Sequence, residues 1–547
     1  MPRTTASRVR AAIGTAALAA AFLLPGAGTA GAQVVPPLPV LPGLPANVPG
    51  NSTGTAIGAM APDLDLEILS TATQDPTALS VAPDGRVVFA ERQGAIKVIT
   101  TAGVTKEAGR ILTSATACVG CPDQSLEEGG IHGLELAADF ADTGRFYAYY
   151  SVPFSVGTSG FAPNEGAFRL SSFVLTDANV VEMSSERVLM TNPAEWFTCC
   201  HYGGDIDLMP DGTLLLSVGD DASPRVEQYN PRDNRPGFEA HNAERTSQNR
   251  LDRRGKVLRL MPDGSVPTAA KGVAPNPHAG DPTYDPYVYA MGFRSDYRIA
   301  VDQATGFTFV GNVGPDAGSD DVNRGPRGHD ELETIRPGGG SNHGWPRCIG
   351  NNTPFKAFDY VTQTSGAPLS CEGMTPANIW YPATASAQFP QLGTGGRTAM
   401  AGVVYRYDGD GANRLADHYQ GNLLFMEWSR DTIFAIPTKD GDVPDRGELD
   451  VPGMTKIASA LYHPIDANIG PDGAVYLAEY GRGFYANANS RISRIVPGTP
   501  DAAAAQVAPP SGAPVSGIPM TPLATVLVGV LAAALLVGPQ LRRRVTA

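Results

Sequence analysis

The chain has 547 residues, enough for a large core, with 55 acidic against 41 basic side chains and a formal net charge of -14. No basic stripe offsets the acidic excess, which excludes a nucleic-acid-binding surface and suits calcium, a soluble sugar or simple solubility.

Arg3, Arg8 and Arg10 precede an apolar run over 11–24, and Ala30-Gly31-Ala32 supplies a small-residue cleavage pattern, so residues 1–32 are expected to be a secretory signal peptide. Residues 33–60 and 497–519 are rich in Pro, Gly, Ala, Ser and Thr without strand or helix periodicity and read as linkers. The folded body is then 61–496. A Leu/Val/Ala run centred on 523–537, followed by Arg542, Arg543 and Arg544, predicts a transmembrane anchor at 520–538 and a basic cytoplasmic tail at 539–547. The expected location is the extracellular face of the cell membrane.

Within the body one unit recurs: short apolar strands flanking an Asp- or Gly-bearing turn. It appears at 79–91, 136–150, 208–219, 299–311, 419–425 and 469–479, with no convincing long amphipathic helix between. Six such hairpins predict an all-β, six-bladed β-propeller, because closing the ring protects strand edges that a flat sheet would expose. The alternative arrangement is a pair of β-sandwiches.

The run CCHYGGDIDLMPDGTLLLSVGDD, 199–221, places His201 on a loop just ahead of one hairpin, with Asp220 and Asp221 just after its second strand. Titratable groups on loops held by a rigid sheet are where chemistry is usually placed. Cys118 with Cys121, Cys199 with Cys200, and Cys348 with Cys371 are close in sequence, and an exported body favours disulfides. Fifteen connectivities are open to six cysteines, and a zinc site made from the first four thiols is the alternative. No CxxCH haem-attachment motif is present.

Taken together, EEGGIHGLELAADF, the His201 run, RRGKVLRLMPDGSVP, YAMGFRSDYRIAVDQATG, VGPDAG with HDELETI, GGSNHGWP and IGPDGAVYLAEYG resemble the glucose/sorbosone dehydrogenase family of soluble quinoprotein sugar dehydrogenases, over about 79–496. The resemblance implies a six-bladed propeller that oxidises an aldose with pyrroloquinoline quinone (PQQ) and Ca2+, passing electrons to an external acceptor. It implies His201 as the general base, Arg294 as the cation facing the quinone's reacting carbonyl, and Glu128 as a pocket residue. It further implies that Gly314 and Pro315 hold calcium through their carbonyls and that Asp330 and Glu331 lie near a second calcium. The family's Arg-Asn-Pro reads Arg294-Ser295-Asp296 here, which puts Ser295 beside the cofactor, and Cys200 replaces an acidic residue before the base. Where the family has a lysine and two arginines on the quinone's carboxylates, this chain has Ser429, His463 and Ile465, with Arg430 adjacent as the expected substitute. The rival reading is a non-catalytic surface propeller that binds glycan or protein; a calcium-dependent propeller hydrolase is a third.

Overall fold

The computed structural model describes residues 58–115, 118–119, 128–155, 165–195, 200–224, 228–438, 449–483 and 486–498, without side chains at 118–119, 154–155 and 165. Among them, the main sheets are six antiparallel blades. Blade I is Pro76–Val81, Val87–Glu91, Ala95–Ile99 and Thr105–Arg110. Blade II is Ile131–Leu136, Arg145–Ser151, Glu165–Leu175 and Val181–Glu195. Blade III is Ile206–Leu208, Leu214–Val218, Lys256–Leu260 and Val288–Met291, and blade IV is Asp296–Val301, Thr308–Asn312, Asp330–Ile335 and Ile379–Tyr381. Blade V is Ala399–Tyr405, Asn422–Glu427, Thr432–Pro437 and Thr455–Ser459, widened by Ala59–Met60. Blade VI is Pro464–Ile469, Val475–Glu479 and Arg491–Pro497, completed at its outer edge by Leu64–Ser70.

The first strand of each blade touches the first strand of the next, and Pro464–Ile469 returns to Pro76–Val81, so the ring closes. The chain's early strand Leu64–Ser70 is laced antiparallel to its last, Arg491–Pro497, which covers the edge that blade VI would otherwise expose. The expected all-β six-bladed propeller is therefore what forms. One hairpin differs from the reading. Residues 419–425 do not make a blade's first hairpin: Asp417–Tyr419 is a 3-10 turn that delivers the chain to Asn422–Glu427, whose inner partner is Ala399–Tyr405, beyond a long loop. A Gly-bearing turn before an apolar strand looks the same in sequence whether the preceding segment pairs or merely arrives.

Packing between blades comes from alternating residues of the pleated faces. Val88, Ile96 and Val98 of blade I meet Leu134, Phe146 and Phe173 of blade II, all buried. Each such side chain contributes about 1.5–3 kcal/mol by leaving water. Around the axis the inner strands are stitched by carboxylates that cross to the next blade's amides. Asp205 accepts from Ile299 N at 2.8 Å, Asp207 from Val301 N at 2.7 Å and Asp466 from Leu79 N at 2.7 Å. Arg298 is wholly buried at the centre, donating to the carbonyls of Ile465 at 2.8 Å and His132 at 3.1 Å and to that of Thr77, so it ties four blades. Beyond it lies a cavity of about 480 Å³ whose lining includes Glu135, Asp205, Asp207 and Asp466. Burial pushes Asp207 up to about 8 and Asp466 up to about 7.

Cys348 and Cys371 are bridged, as their spacing led one to expect. Cys200 is also disulfide-bonded, which withdraws it from a zinc-thiolate set. The side chains of Cys118, Cys121 and Cys199 lie outside the described residues. No helix among the described residues is long and apolar enough to cross a membrane, and the expected signal peptide and anchor lie outside them.

Candidate functional site

In every blade the first strand starts, and the second strand ends, at the same mouth of the ring. Loops that enter first strands and loops that leave second strands therefore share that mouth. This topology gathers Glu128, His201, Asp220, Arg294, Gly314, Pro315, Arg397, Arg430 and His463 at one end, from segments hundreds of residues apart.

His201 is 6 % exposed, and its loop is held in an uncommon conformation: Cys200 and His201 have φ of 91° and 66°, and Asp221 opposite has 52°. Left-handed backbone at non-glycine residues costs on the order of 1–3 kcal/mol each and persists only where surrounding bonds impose it. Here they do. Asp221 N donates to His201 O at 3.2 Å, Gly219 N to Tyr202 O at 3.2 Å, and His201 N to the Glu128 carboxylate at 2.6 Å. Gly219 is required for this approach, because a Cβ there would lie 2.0 Å from His201 O and 3.1 Å from Arg294 O.

The side chain of His201 is oriented by Asp220. Nδ1 lies 2.9 Å from Asp220 Oδ1, the same oxygen accepts Ala222 N at 3.0 Å, and Oδ2 accepts the Trp345 indole N–H at 2.7 Å. A carboxylate can only accept, so Nδ1 carries the proton and Nε2 keeps its lone pair, the tautomer a general base needs. Asp220 also fixes the neighbouring cation: its own N–H donates to Arg294 O at 2.7 Å. The Arg294 guanidinium is 4 % exposed, donates through Nη1 to Val313 O at 2.9 Å and lies 5.8 Å from the Trp345 ring centroid. It has no ion pair among the described residues. His132 clasps the two loops together, its nitrogens 2.6 Å from Gly203 O and 2.6 Å from Glu128 O.

Of the sequence-predicted residues, Glu128, His201 and Arg294 thus converge, with Ser295 beside Arg294 donating its N–H to Asn312 Oδ1 at 2.9 Å. Arg430, the expected substitute cation, directs its nitrogens at backbone carbonyls. Its Nε donates to Gly396 O at 2.7 Å, Nη1 to Leu392 O at 2.8 Å and Nη2 to Pro382 O at 3.1 Å, while its face covers Tyr381. Each nitrogen is spent on the 382–396 loop. Ser429 bonds Thr398 at 2.6 Å, Ile465 is buried, and His463 stacks on Trp428 with centroids 3.9 Å apart. The positive groups that sequence reasoning missed are Arg397, just before Ala399–Tyr405, and Arg482, on the loop after Val475–Glu479, 3.8 Å from Asp431 and 4.4 Å over Tyr462. With Arg294 they place three guanidinium groups at this mouth. Asp220 and Trp345 were inside quoted motifs but had no role there; an Asp directly after an apolar strand and a Trp in a Gly-rich loop were the available signals.

Of the residues expected to hold calcium, Pro315, Asp330 and Glu331 have oxygens that are otherwise engaged. Pro315 O accepts Arg397 Nη2 at 2.6 Å; Asp330 Oδ1 accepts Arg397 Nη1 at 2.7 Å and Gly314 N at 3.1 Å, and Oδ2 accepts Ala399 N at 3.0 Å. Burial raises the Glu331 carboxyl above its ordinary range, and it accepts Gly350 N. No group of three or more His, Cys, Asp or Glu side chains placed to hold a metal occurs among the described residues. These donors do not fit a calcium ligand set, which needs six to eight open oxygens.

Comparison with known proteins agrees with the propeller fold. The chain is 26% identical over 317 residues to the uncharacterized protein slr1608 of Synechocystis, covering 57% of this chain and 65% of that one. It is 23% identical over 302 residues to the aldose sugar dehydrogenase YliI of Escherichia coli, covering 55% and 66%. The match thus spans just under two thirds of either relative's length. An oxidoreductase (glucose dehydrogenase) from Thermus thermophilus shares the fold with a TM-score of 0.52 and 20% identity, over 79% of this chain and 100% of that one. The sequence profile described as Glucose / Sorbosone dehydrogenase matches residues 73–391, more than half of the chain, and the protein belongs to that family.

Proposed function

We propose that the protein is a sugar dehydrogenase of the quinoprotein type, oxidising the anomeric carbon of an aldose outside the cell. The observation that carries the reading is the His201–Asp220 pair, with Nδ1 fixed at 2.9 Å and Nε2 left basic, on the same loop cluster as a buried Arg294 that has no ion pair among the described residues. When bound, PQQ supplies the two-electron acceptor that takes the hydride from the sugar. His201 Nε2 takes the proton of the anomeric hydroxyl as the C–H electron pair leaves, so a lactone forms and the sugar loses one hydride and one proton. Asp220 stabilises the imidazolium that results and keeps the ring from turning. Arg294 presents a fixed positive charge to the oxygen on which negative charge develops. Glu128 holds the His201 backbone rather than reacting, its carboxylate accepting the His201 N–H. The signal-peptide pattern at 1–32 and the anchor pattern at 520–538 support display on the outer face of the membrane, where electrons pass to an external carrier.

The test is quinone binding followed by turnover. The purified chain is titrated with PQQ, then assayed with a panel of aldoses and an artificial acceptor. Saturable binding weakened in Arg294→Ala, and turnover abolished in His201→Gln with binding intact, is the expected pair of results. A folded protein that binds no quinone sinks the reading and moves the assignment to a glycan- or protein-binding propeller.

A further inference from the structure

Two guanidinium groups grip the same short segment. Arg294 Nη1 donates to Val313 O at 2.9 Å and Arg397 Nη2 donates to Pro315 O at 2.6 Å, one on each side of Gly314. We propose that Arg397, anchored by Asp330, is the resident cation of the turn at Gly314 and Pro315, and that this site receives an anionic cofactor without a divalent metal. The cofactor half of this inference rests on the quinone reading above; the metal half does not.

The donor set argues for it. A metal at this turn would draw on the Gly314 and Pro315 carbonyls and a nearby carboxylate. The Pro315 carbonyl and the carboxylate are already bound to one cation: Asp330 is wholly buried, and each of its oxygens receives N–H donors, Arg397 Nη1 at 2.7 Å, Gly314 N at 3.1 Å and Ala399 N at 3.0 Å. A divalent ion on Pro315 O would face a guanidinium within hydrogen-bond distance of the same oxygen, so like charges oppose its entry. The turn is also closely packed. A Cβ on Gly314 would lie 1.7 Å from His329 O, and one on Gly328 would lie 1.5 Å from Pro315 O and 2.9 Å from Arg397 Nη2, so the backbone of 328–330 lies directly against it. Arg397 meanwhile uses two of its five N–H groups in these bonds. Its side chain is 10% exposed, and it stands on the loop that enters blade V at the candidate site's mouth. A guanidinium of the chain already occupies the carbonyl and the carboxylate that a metal would take.

The experiment is a pair of titrations on the purified full-length chain after removal of divalent ions. Calorimetry with calcium alone, on wild type, Asp330→Asn and Arg397→Lys, reads the metal half. PQQ titration followed by tryptophan fluorescence, in EDTA and in calcium, reads the cofactor half. The inference expects calcium heat that is absent or unchanged in both variants, PQQ affinities agreeing within about twofold between the two buffers, and a loss of about tenfold or more in Arg397→Gln, partly restored in Arg397→Lys. Calcium heat lost in Asp330→Asn or altered in Arg397→Lys overturns it, as does PQQ binding tightened about tenfold or more by calcium. That last result leaves the quinone reading intact. If PQQ binds in neither buffer, the quinone reading falls, and calcium alone still decides whether the turn is a metal site.

Discussion

Asp220→Asn tests the proton-handling half of the site, because the structure says which bonds the new amide must break. Asp220 receives three N–H donors: His201 Nδ1 at 2.9 Å and Ala222 N at 3.0 Å on one oxygen, and Trp345 Nε1 at 2.7 Å on the other. Asparagine offers one acceptor and one donor, so in either orientation its NH2 opposes an N–H that cannot move away. If the NH2 replaces Oδ2, Trp345 loses its partner, His201 keeps its tautomer, and only the carboxylate's charge is lost. A charge-assisted bond is worth about 1.5–3 kcal/mol, which is roughly 10- to 150-fold in kcat. If the NH2 replaces Oδ1, Ala222 loses its partner and the His201 proton is driven to Nε2, removing the base altogether, a loss of about 10² to 10⁴. Either orientation leaves a buried donor unpaired, at about 1–3 kcal/mol of stability. Trp345→Phe separates them: it deletes the N–H facing Oδ2 while keeping a ring beneath Arg294, so an asparagine at 220 can turn its NH2 there without conflict. Acceptor-reduction assays with saturating quinone and aldose, alongside thermal melts, should show Asp220→Asn toward the larger loss and the double variant Asp220→Asn/Trp345→Phe recovering to the smaller one. A folded Asp220→Asn variant with kcat within about twofold of wild type, or a double variant whose loss is the product of the two singles, refutes the assignment of His201 and Asp220 as the base pair.

Replacing Cys348 and Cys371 by serine removes a bridge with a sequence separation of 23 residues, for which loop-closure entropy gives a loss of about 3 kcal/mol; a lowered melting temperature under oxidising conditions, and no further change on adding reductant, checks it. Deleting residues 58–70 strips the outer strand from blade VI and exposes the Arg491–Pro497 edge, so light scattering should report association that the intact chain does not show. Asp207→Asn addresses pH. Burial raises the folded Asp207 from 3.8 to about 8, so the folded state holds a proton that the unfolded chain gives up; the stability this contributes is fully present below 3.8 and is lost as pH rises toward 8. The variant should therefore melt higher than wild type at pH 8 and show a shallower decline between pH 4 and 8. A steeper decline would contradict the burial argument.

Much of the ring was legible in the sequence because each blade repeats a local signal. At 205–218 the apolar alternation, the turn at Asp211 and Gly212, and the all-apolar return strand are each sufficient to place an element, and the strands Ile206–Leu208 and Leu214–Val218 follow. The blade V hairpin was misread because Tyr419 to Gly421 carries the same signal without the pairing. The placement of His201 and Arg294 on loops at one mouth followed from motif order. What could not be read was direction. Arg430 and Arg397 stand on loops at the same mouth, yet one aims at the carbonyls of 382–396 and the other at Pro315. Side-chain aim is decided by which loop packs against which, a non-local fact.

Asp220 explains why His201 and Arg294 share one site. It sits where a second strand leaves its blade, so its backbone and its side chain face different loops. The backbone N–H fixes Arg294 O, one oxygen fixes His201, and the other fixes the indole over which Arg294 rests. A displacement of this one residue moves the His201 imidazole and the Arg294 guanidinium together, which preserves their relation. That coupling would serve the proposed reaction, in which a proton leaves the anomeric hydroxyl oxygen and a hydride leaves the carbon that bears it, because the two departures must be aimed at once. It also means that Asp220 variants cannot be read as pure losses of basicity. The Arg294 position shifts with them, and the rescue by Trp345→Phe distinguishes a tautomer effect from a general loosening of the mouth: loosening adds the two losses, whereas a tautomer conflict is relieved.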